Sequence, residues 1–177
     1  MIIVLVIVII IAIPLVAALF TAKAFTIEQE VNISKPLPEV FSYLSLLKNT
    51  NYWSKWVMTD PNMIKAYKGT DGTVGAIYAW DSENKQVGKG EQEITKMAEG
   101  SRIDYEVRFI KPFEGTSTAW ITTDAPAGNQ TRVKWFFHGN ANYMMRIMHL
   151  VLNLKKVLAK DMATSLTNLK TLLEKSN

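Results

Sequence analysis

The sequence predicts an α+β fold, a curved seven-stranded antiparallel sheet wrapped around a long C-terminal helix and preceded by an N-terminal transmembrane helix. Three observations carry this expectation. Residues 2–20 form an apolar run with no charged or polar side chain. Short alternating segments then recur up to His138, separated by turns rich in Gly, Pro, Asn and Asp. Residues 143–174 contain neither Gly nor Pro and place apolar side chains at three- and four-residue steps, as a helix with one buried face requires.

The N-terminal run, as a helix, rises roughly 28 Å, enough to cross a bilayer's hydrocarbon core. Pro14 is tolerable in such a helix. A cleaved signal peptide is the competing reading, since Ala22-Lys23-Ala24 has small-x-small spacing. No Lys or Arg precedes the run, and its length exceeds a signal core, so a retained single-pass anchor over residues 1–23 is expected. Lys23 lies on its C-terminal side, which leans toward a cytoplasmic domain of residues 24–177.

In that domain, FTIEQEVNI (25–33) alternates as a half-buried strand. Pro36 and Pro38 break it, and Pro38-Glu39 opens a helix whose apolar positions are Val40, Phe41, Leu44 and Leu47. A second short helix carries Tyr52, Trp53 and Trp56. Strands follow at 63–68 and 74–80, with Gly69-Thr70-Asp71-Gly72 turning between them. The next strand ends near Met97. RIDYEVRFI (102–110) alternates most cleanly, with Ile103, Tyr105, Val107 and Phe109 inward and Asp104, Glu106 and Arg108 outward. Strands at 116–123 and 131–138 complete the sheet. The closing helix covers it, with a bend expected near Asn153; among the predicted elements only this helix is large enough for that task.

Composition excludes several function classes. Lys and Arg number 20 against 16 Asp and Glu, a net charge of +4; charges this mild and interspersed do not predict nucleic-acid binding. With no cysteine, disulfides, thiolate nucleophiles and cysteine metal sites are absent.

The element order, the ISKPLPEVFSYL entry into the first helix, the YWSKW segment and the closing NLKTLLE resemble the helix-grip SRPBCC/START-like superfamily. That superfamily includes START lipid-transfer domains, birch-type pollen allergens, and polyketide cyclases and dehydrases. MTDPNM, GTDGTVG, VGKGEQEI and RFIKPFEGT are similar more narrowly to membrane-anchored, polyketide-cyclase-like bacterial proteins. The resemblance implies a cavity between sheet and C-terminal helix, in a fold that hosts binders and enzymes alike.

Candidate chemistry is sparse. His138 and His149 lack partners at metal-ligand spacing, so neither a metal nor another cofactor is expected. VGKGEQ leads into a strand, which leaves no helix N-terminus for a phosphate. Alternation from Ile94 places Gln92, Gly90 and Gly88 on the inner face, where the glycines either leave volume or mark a bend. Glu91, Glu93, Asp104 and Glu106 alternate outward, and Asp161 reads as a helix-surface carboxylate. No set of nucleophile, base and orienting residue assembles.

The aromatic and methionine inventory is more informative. Tyr78, Trp80, Tyr105, Phe109, Trp120, Trp135 and Phe137 lie on strands, facing Met144, Met148 and Met162 on the long helix. Such walls suit a hydrophobic ligand, though a solidly packed core uses the same residues. Trp53 and Trp56 share a face at i and i+3, with Trp53 expected at the cavity's edge and Trp56 in the core. The ligand-cavity expectation thus comprises Trp53, Tyr78, Trp80, Gln92, Tyr105, Phe109, Trp120, Trp135, Met144, Met148 and Met162. Three functions remain open: a membrane-tethered binder or carrier of a lipid or polyketide-like molecule, a cyclase or dehydratase acting on a bound apolar substrate, or a structural module with a filled cavity. The first is preferred.

Overall fold

A computed structural model describes residues 2–175, apart from the side chains of residues 4–9 and 11. Helix α1 (Ile2–Phe20) leads into β1 (Ala24–Ile33), α2 (Leu37–Ser45), a 3-10 turn (Leu47–Asn49), α3 (Thr50–Trp53) and α4 (Lys55–Thr59). Strands β2 (Ile64–Lys68), β3 (Ile77–Asp81), β4 (Lys89–Ala98), β5 (Arg102–Lys111), β6 (Gly115–Asp124) and β7 (Thr131–Asn140) follow. Helices α5 (Tyr143–Leu152) and α6 (Leu154–Lys175) close the chain. The strands form one antiparallel seven-stranded sheet in the order β1-β7-β6-β5-β4-β3-β2, so the first strand seals the edge beside the last.

Alternation within the strands decides which face is covered. In β5, Ile103, Tyr105 and Val107 are buried, and in β6 so are Ala119, Ile121 and Thr123. The opposite face is polar. There Arg108 binds Glu91 and Glu93 at 2.6 and 2.8 Å and also pairs with Glu106, while Arg102 meets Asp104 at 2.5 Å. The carboxylates expected to point outward therefore do so, as ion-paired surface groups.

Helix α6 supplies the cover. Met162, Leu166, Leu169 and Leu173 are buried at three- and four-residue steps, the three leucines against a core that includes Ile33, Phe41, Ile103 and Val133, and Met162 with Phe25 and Ile27. Its far end is pinned to β1, since the Ser34 amide donates to Glu174 Oε1 at 2.7 Å. That hydrogen bond holds the Glu174 carboxyl below the ordinary carboxylate value.

The long C-terminal helix is broken where a bend was expected. Asn153 adopts the left-handed conformation (φ 50°, ψ 44°) between α5 and α6, a backbone state that Asn tolerates better than most residues. No residue of α5 is buried. The helix packs instead along the C-terminal part of α1: Ala18 is fully buried, Tyr143 Oη donates to the Leu15 carbonyl at 2.8 Å, and Arg146 Nη1 donates to that of Thr21 at 3.4 Å.

The N-terminal expectation needs correction. Residues 2–20 are helical, but the side chains of 4–9 and 11, on which the membrane reading partly rests, lie outside the described residues. Among the described residues no helix is long and apolar enough to cross a membrane. The membrane localisation through a single-pass anchor, with its cytoplasmic orientation, is overturned, and a membrane partner is left without support. An apolar run reads the same whether it faces lipid or packs on a neighbouring helix, and the end of α1 packs on α5.

Burial ranks the two helices energetically. Leu166→Ala, at 1 % exposure in the core, is expected to cost about 2–5 kcal/mol. Met144→Ala, at 57 % exposure on α5, should change stability by no more than about 0.5 kcal/mol. Urea denaturation of the two variants measures both.

Candidate ligand cavity

The sheet is wider than one helix, and the volume that α6 does not fill forms a cavity of about 200 Å³. Strands β3 to β7 supply Tyr78, Trp80, Gln92, Tyr105, Phe109, Ala119, Ile121, Trp135 and Phe137 to its wall. Leu158 and Met162 of α6 form the opposite side, and Trp53, Trp56 and Val57 close one end. Among the described residues no Asp, Glu, Lys, Arg or His lines it.

Polar ties to α6 position the tryptophan end. Ser54 is extended (ψ 124°), so α3 stops at Trp53 and α4 starts at Lys55. Fully buried Ser165 accepts from the Lys55 amide at 2.9 Å and donates to the Asp161 carbonyl at 2.8 Å. One helical turn on, Asn168 Nδ2 donates to the Trp53 carbonyl at 3.2 Å. These bonds satisfy backbone groups that the break between two short helices would otherwise strand. Behind them, Asp71 accepts from the Leu47 and Lys48 amides at 2.7 and 3.2 Å, fixing the 3-10 turn to the β2–β3 loop.

The rings interlock edge to face. Trp135 meets Trp53 at 5.4 Å and 73° and Trp56 at 5.9 Å and 88°. Trp80 meets Phe109 at 6.4 Å and 78°, and Phe109 meets Phe137 at 6.4 Å and 62°. Tilted rings of this kind present both edges and faces to the space between them. Two donors on this wall are buried without a partner, Trp53 Nε1 and Tyr78 Oη.

The structure brings Trp53, Tyr78, Trp80, Gln92, Tyr105, Phe109, Trp135 and Met162 around this cavity. Three expected residues lie elsewhere. Trp120 has the opposite strand parity to buried Ala119 and Ile121; it sits on the outer face, stacked on Phe136 at 5.0 Å beneath the Arg102 guanidinium. Met144 and Met148 belong to α5, which the break at Asn153 takes out of the line of α6. The two tryptophans also exchange emphasis. Trp53 is the more buried and joins the main core, while half-buried Trp56 packs beside Trp135 and Leu158.

The glycine segment bends the sheet. Gly88 has φ +66°, and a Cβ there would stand 2.2 Å from the Lys111 carbonyl oxygen. Gly90 lies under Trp80, whose Cζ2 a Cβ would meet at 2.6 Å, and the β4–β5 register shifts beside it. The room left by Gly90 is thus filled by the Trp80 ring. Neither histidine reaches the cavity: His138 bonds Thr26 at 2.9 Å, and His149 sits edge-on to Phe25 at 4.8 Å. Burial and nearby Lys155 hold the His149 imidazole below its usual pKa.

With this geometry established, relatives can be placed. Residues 24–174 match the family model described as polyketide cyclase / dehydrase and lipid transport. The chain belongs to that family. No curated protein matches it. Similar solved structures include the Aha1 dimer from Colwellia psychrerythraea (16% identity, TM-score 0.60, covering 86% of this chain and 98% of that one). Protein MLL2253 from Mesorhizobium loti is similar at 15% identity and TM-score 0.63, over 86% of this chain and 99% of its own. Truncated norcoclaurine synthase from Thalictrum flavum is similar at 11% identity and TM-score 0.64, over 87% and 96%. At these identities the likeness is one of fold, the helix-grip arrangement of sheet and C-terminal helix.

Among the groups on the wall, Tyr78 and Tyr105 titrate, and burial raises both phenols well above the ordinary value of 10.0. The unfolded chain ionises first as pH rises, so the stability these neutral phenols contribute is complete below about pH 10 and is lost above it. The urea midpoint should accordingly hold up to about pH 10 and fall as pH rises further, and Tyr78→Phe should make that fall shallower.

Proposed function

We propose that this protein binds a hydrophobic small molecule between the concave face of the sheet and α6. The observation that carries this reading is a cavity of about 200 Å³ walled by aromatic and aliphatic side chains, with no charged residue among its described lining. A fold stabilised by apolar burial fills such volume unless something is to occupy it, because an empty cavity forfeits packing contacts along its whole lining. Four of the chain's five tryptophans stand on that wall, with tyrosines and two methionines, Met63 and Met162, beside them. Large rings and a flexible thioether adapt to an apolar guest without a fixed pattern of polar contacts.

Binding is favoured over chemistry. A cyclase or dehydratase needs a group that moves a proton near neutral pH. The histidines lie outside the cavity, and no Asp or Glu stands among its described lining residues. The tyrosines are held neutral by burial, which leaves no base among them near neutral pH. The family's description includes lipid transport alongside cyclase and dehydrase activity, and the transport side of that description fits this lining better.

Native mass spectrometry and solvent extraction of the gently purified full chain test the proposal directly. An apolar compound should co-purify, or the thermal midpoint should rise with at least one member of a hydrophobic panel. A clean unliganded mass with no thermal shift across the panel overturns it. Trp135→Ala should weaken binding of any ligand found by roughly ten-fold or more. Trp120→Ala, on the outer face, should leave affinity unchanged, and titration of the two variants separates the cases.

A further inference from the structure

We infer that the outward face of α5, together with the basic first turns of α6, is a docking surface for an acidic amphipathic helix of a protein partner. This surface lies outside the ligand cavity.

The face is apolar and uncovered. Met144, Ile147, Met148 and Val151 stand at i, i+3, i+4 and i+7, the spacing by which one helix presents a stripe to another. Met144 and Val151 are 57 % and 61 % exposed, and Ile147 and Met148 are half-buried. The other side of α5 is already engaged. Tyr143 and Arg146 donate to the Leu15 and Thr21 carbonyls, Met145 packs with Phe25 and Met162, and His149 sits edge-on to Phe25. A solvent-facing helix surface ordinarily carries charged and polar groups, and this stripe carries none. Its methionines are flexible and polarizable, a property of surfaces that accept helical partners.

Charge selects the partner. Between Asp124 and Asp161 the chain has no Asp or Glu. Of the cations in that interval, Arg132 is paired with Asp124, and Lys134 with Glu28 and Glu30. Lys155, Lys156 and Lys160 are exposed just beyond the stripe and form no ion pair among the described residues. Lys23, also exposed, stands at the other end of α5, where its carbonyl accepts from the Ala141 amide at 2.7 Å.

This pattern disfavours the other occupants. A two-fold pairing of α5 with a second copy sets these lysines against their own counterparts. A helix lying in a lipid interface carries its cations along its own polar face. The face of α5 opposite the stripe is packed on α1 and Phe25, and the exposed lysines lie beyond the helix ends. A partner helix laid along the stripe meets apolar contact over α5 and counter-charge at α6, provided that its own flanks are acidic.

Anisotropy of labelled synthetic peptides titrated with the full chain tests the assignment. One probe is a helical peptide with leucines at i, i+3, i+4 and i+7 flanked by glutamates; the second has lysines for the glutamates, and the third is the acidic sequence scrambled. Saturable binding of the first is expected, roughly ten-fold tighter than either control and weakening as salt is raised. Val151→Asp should weaken it by roughly five-fold or more, and Lys156→Glu with Lys160→Glu should bring the acidic and basic peptides toward equal affinity. These sites are exposed, so the urea midpoint of each variant should match that of the parent chain. Lys96→Glu, an exposed change on β4, should leave binding within about two-fold. Equal affinity for acidic and basic peptides, no binding of the acidic one, or affinity unchanged in both sets of variants overturns the inference. Co-sedimentation with phosphatidylglycerol vesicles while the peptides stay unbound assigns the face to lipid and also overturns it, as does a dimer in solution that Val151→Asp dissociates.

Discussion

Everything that distinguishes this molecule follows from fitting one helix into the hollow of a seven-stranded sheet. Toward its C-terminal end α6 fills that hollow: Leu166, Leu169 and Leu173 are buried against β1 and the centre of the sheet, and the Ser34–Glu174 bond ties the end down. Toward its N-terminal end the sheet continues while the helix supplies only Met162 and Leu158. The space between is where close packing stops. Aromatic side chains from β3 to β7 line it because inward positions of strands carry the large apolar groups of a half-buried sheet.

Short helices cannot hold their own backbone in place, and α3 and α4 depend on α6 for it. Ser165 and Asn168, one turn apart on α6, capture the Lys55 amide and the Trp53 carbonyl. The same α6 that covers the sheet therefore also sets the position of the tryptophan end, coupling core packing to the shape of the cavity. Trp135, in edge contact with Trp53 and Trp56 together, transmits the fit to β7.

Much of this was legible in the sequence, where periodicity is a direct consequence of burial. RIDYEVRFI has one possible inward set, and the structure buries Ile103, Tyr105 and Val107 accordingly. Trp120 was misplaced when ring size was allowed to outweigh parity: its neighbours Ala119 and Ile121 already claimed the inner face. Met144 and Met148 continue the spacing of α6, and spacing cannot register a single left-handed residue such as Asn153, which redirects everything before it. The apolar run of α1 misled for a related reason, since composition does not say which surface an apolar helix meets. Ser165 carried no sequence signal at all, because a serine in a helix acquires its role only from a chain break that lies far away in sequence. Leu158, a wall member that the expected cavity set left out, continues the apolar spacing of Met162 and could have been found from periodicity alone.

The central claim is that the gap between α6 and the sheet is an apolar, enterable chamber. Xenon tests it without presuming any ligand, since it partitions into dry apolar cavities and binds little else. A crystal of the full chain under xenon pressure should show an ordered atom within the chamber bounded by Tyr105, Trp135 and Met162, residues that line the cavity together. A pressurised crystal with that space filled by collapsed side chains, and no xenon in it, would contradict the account.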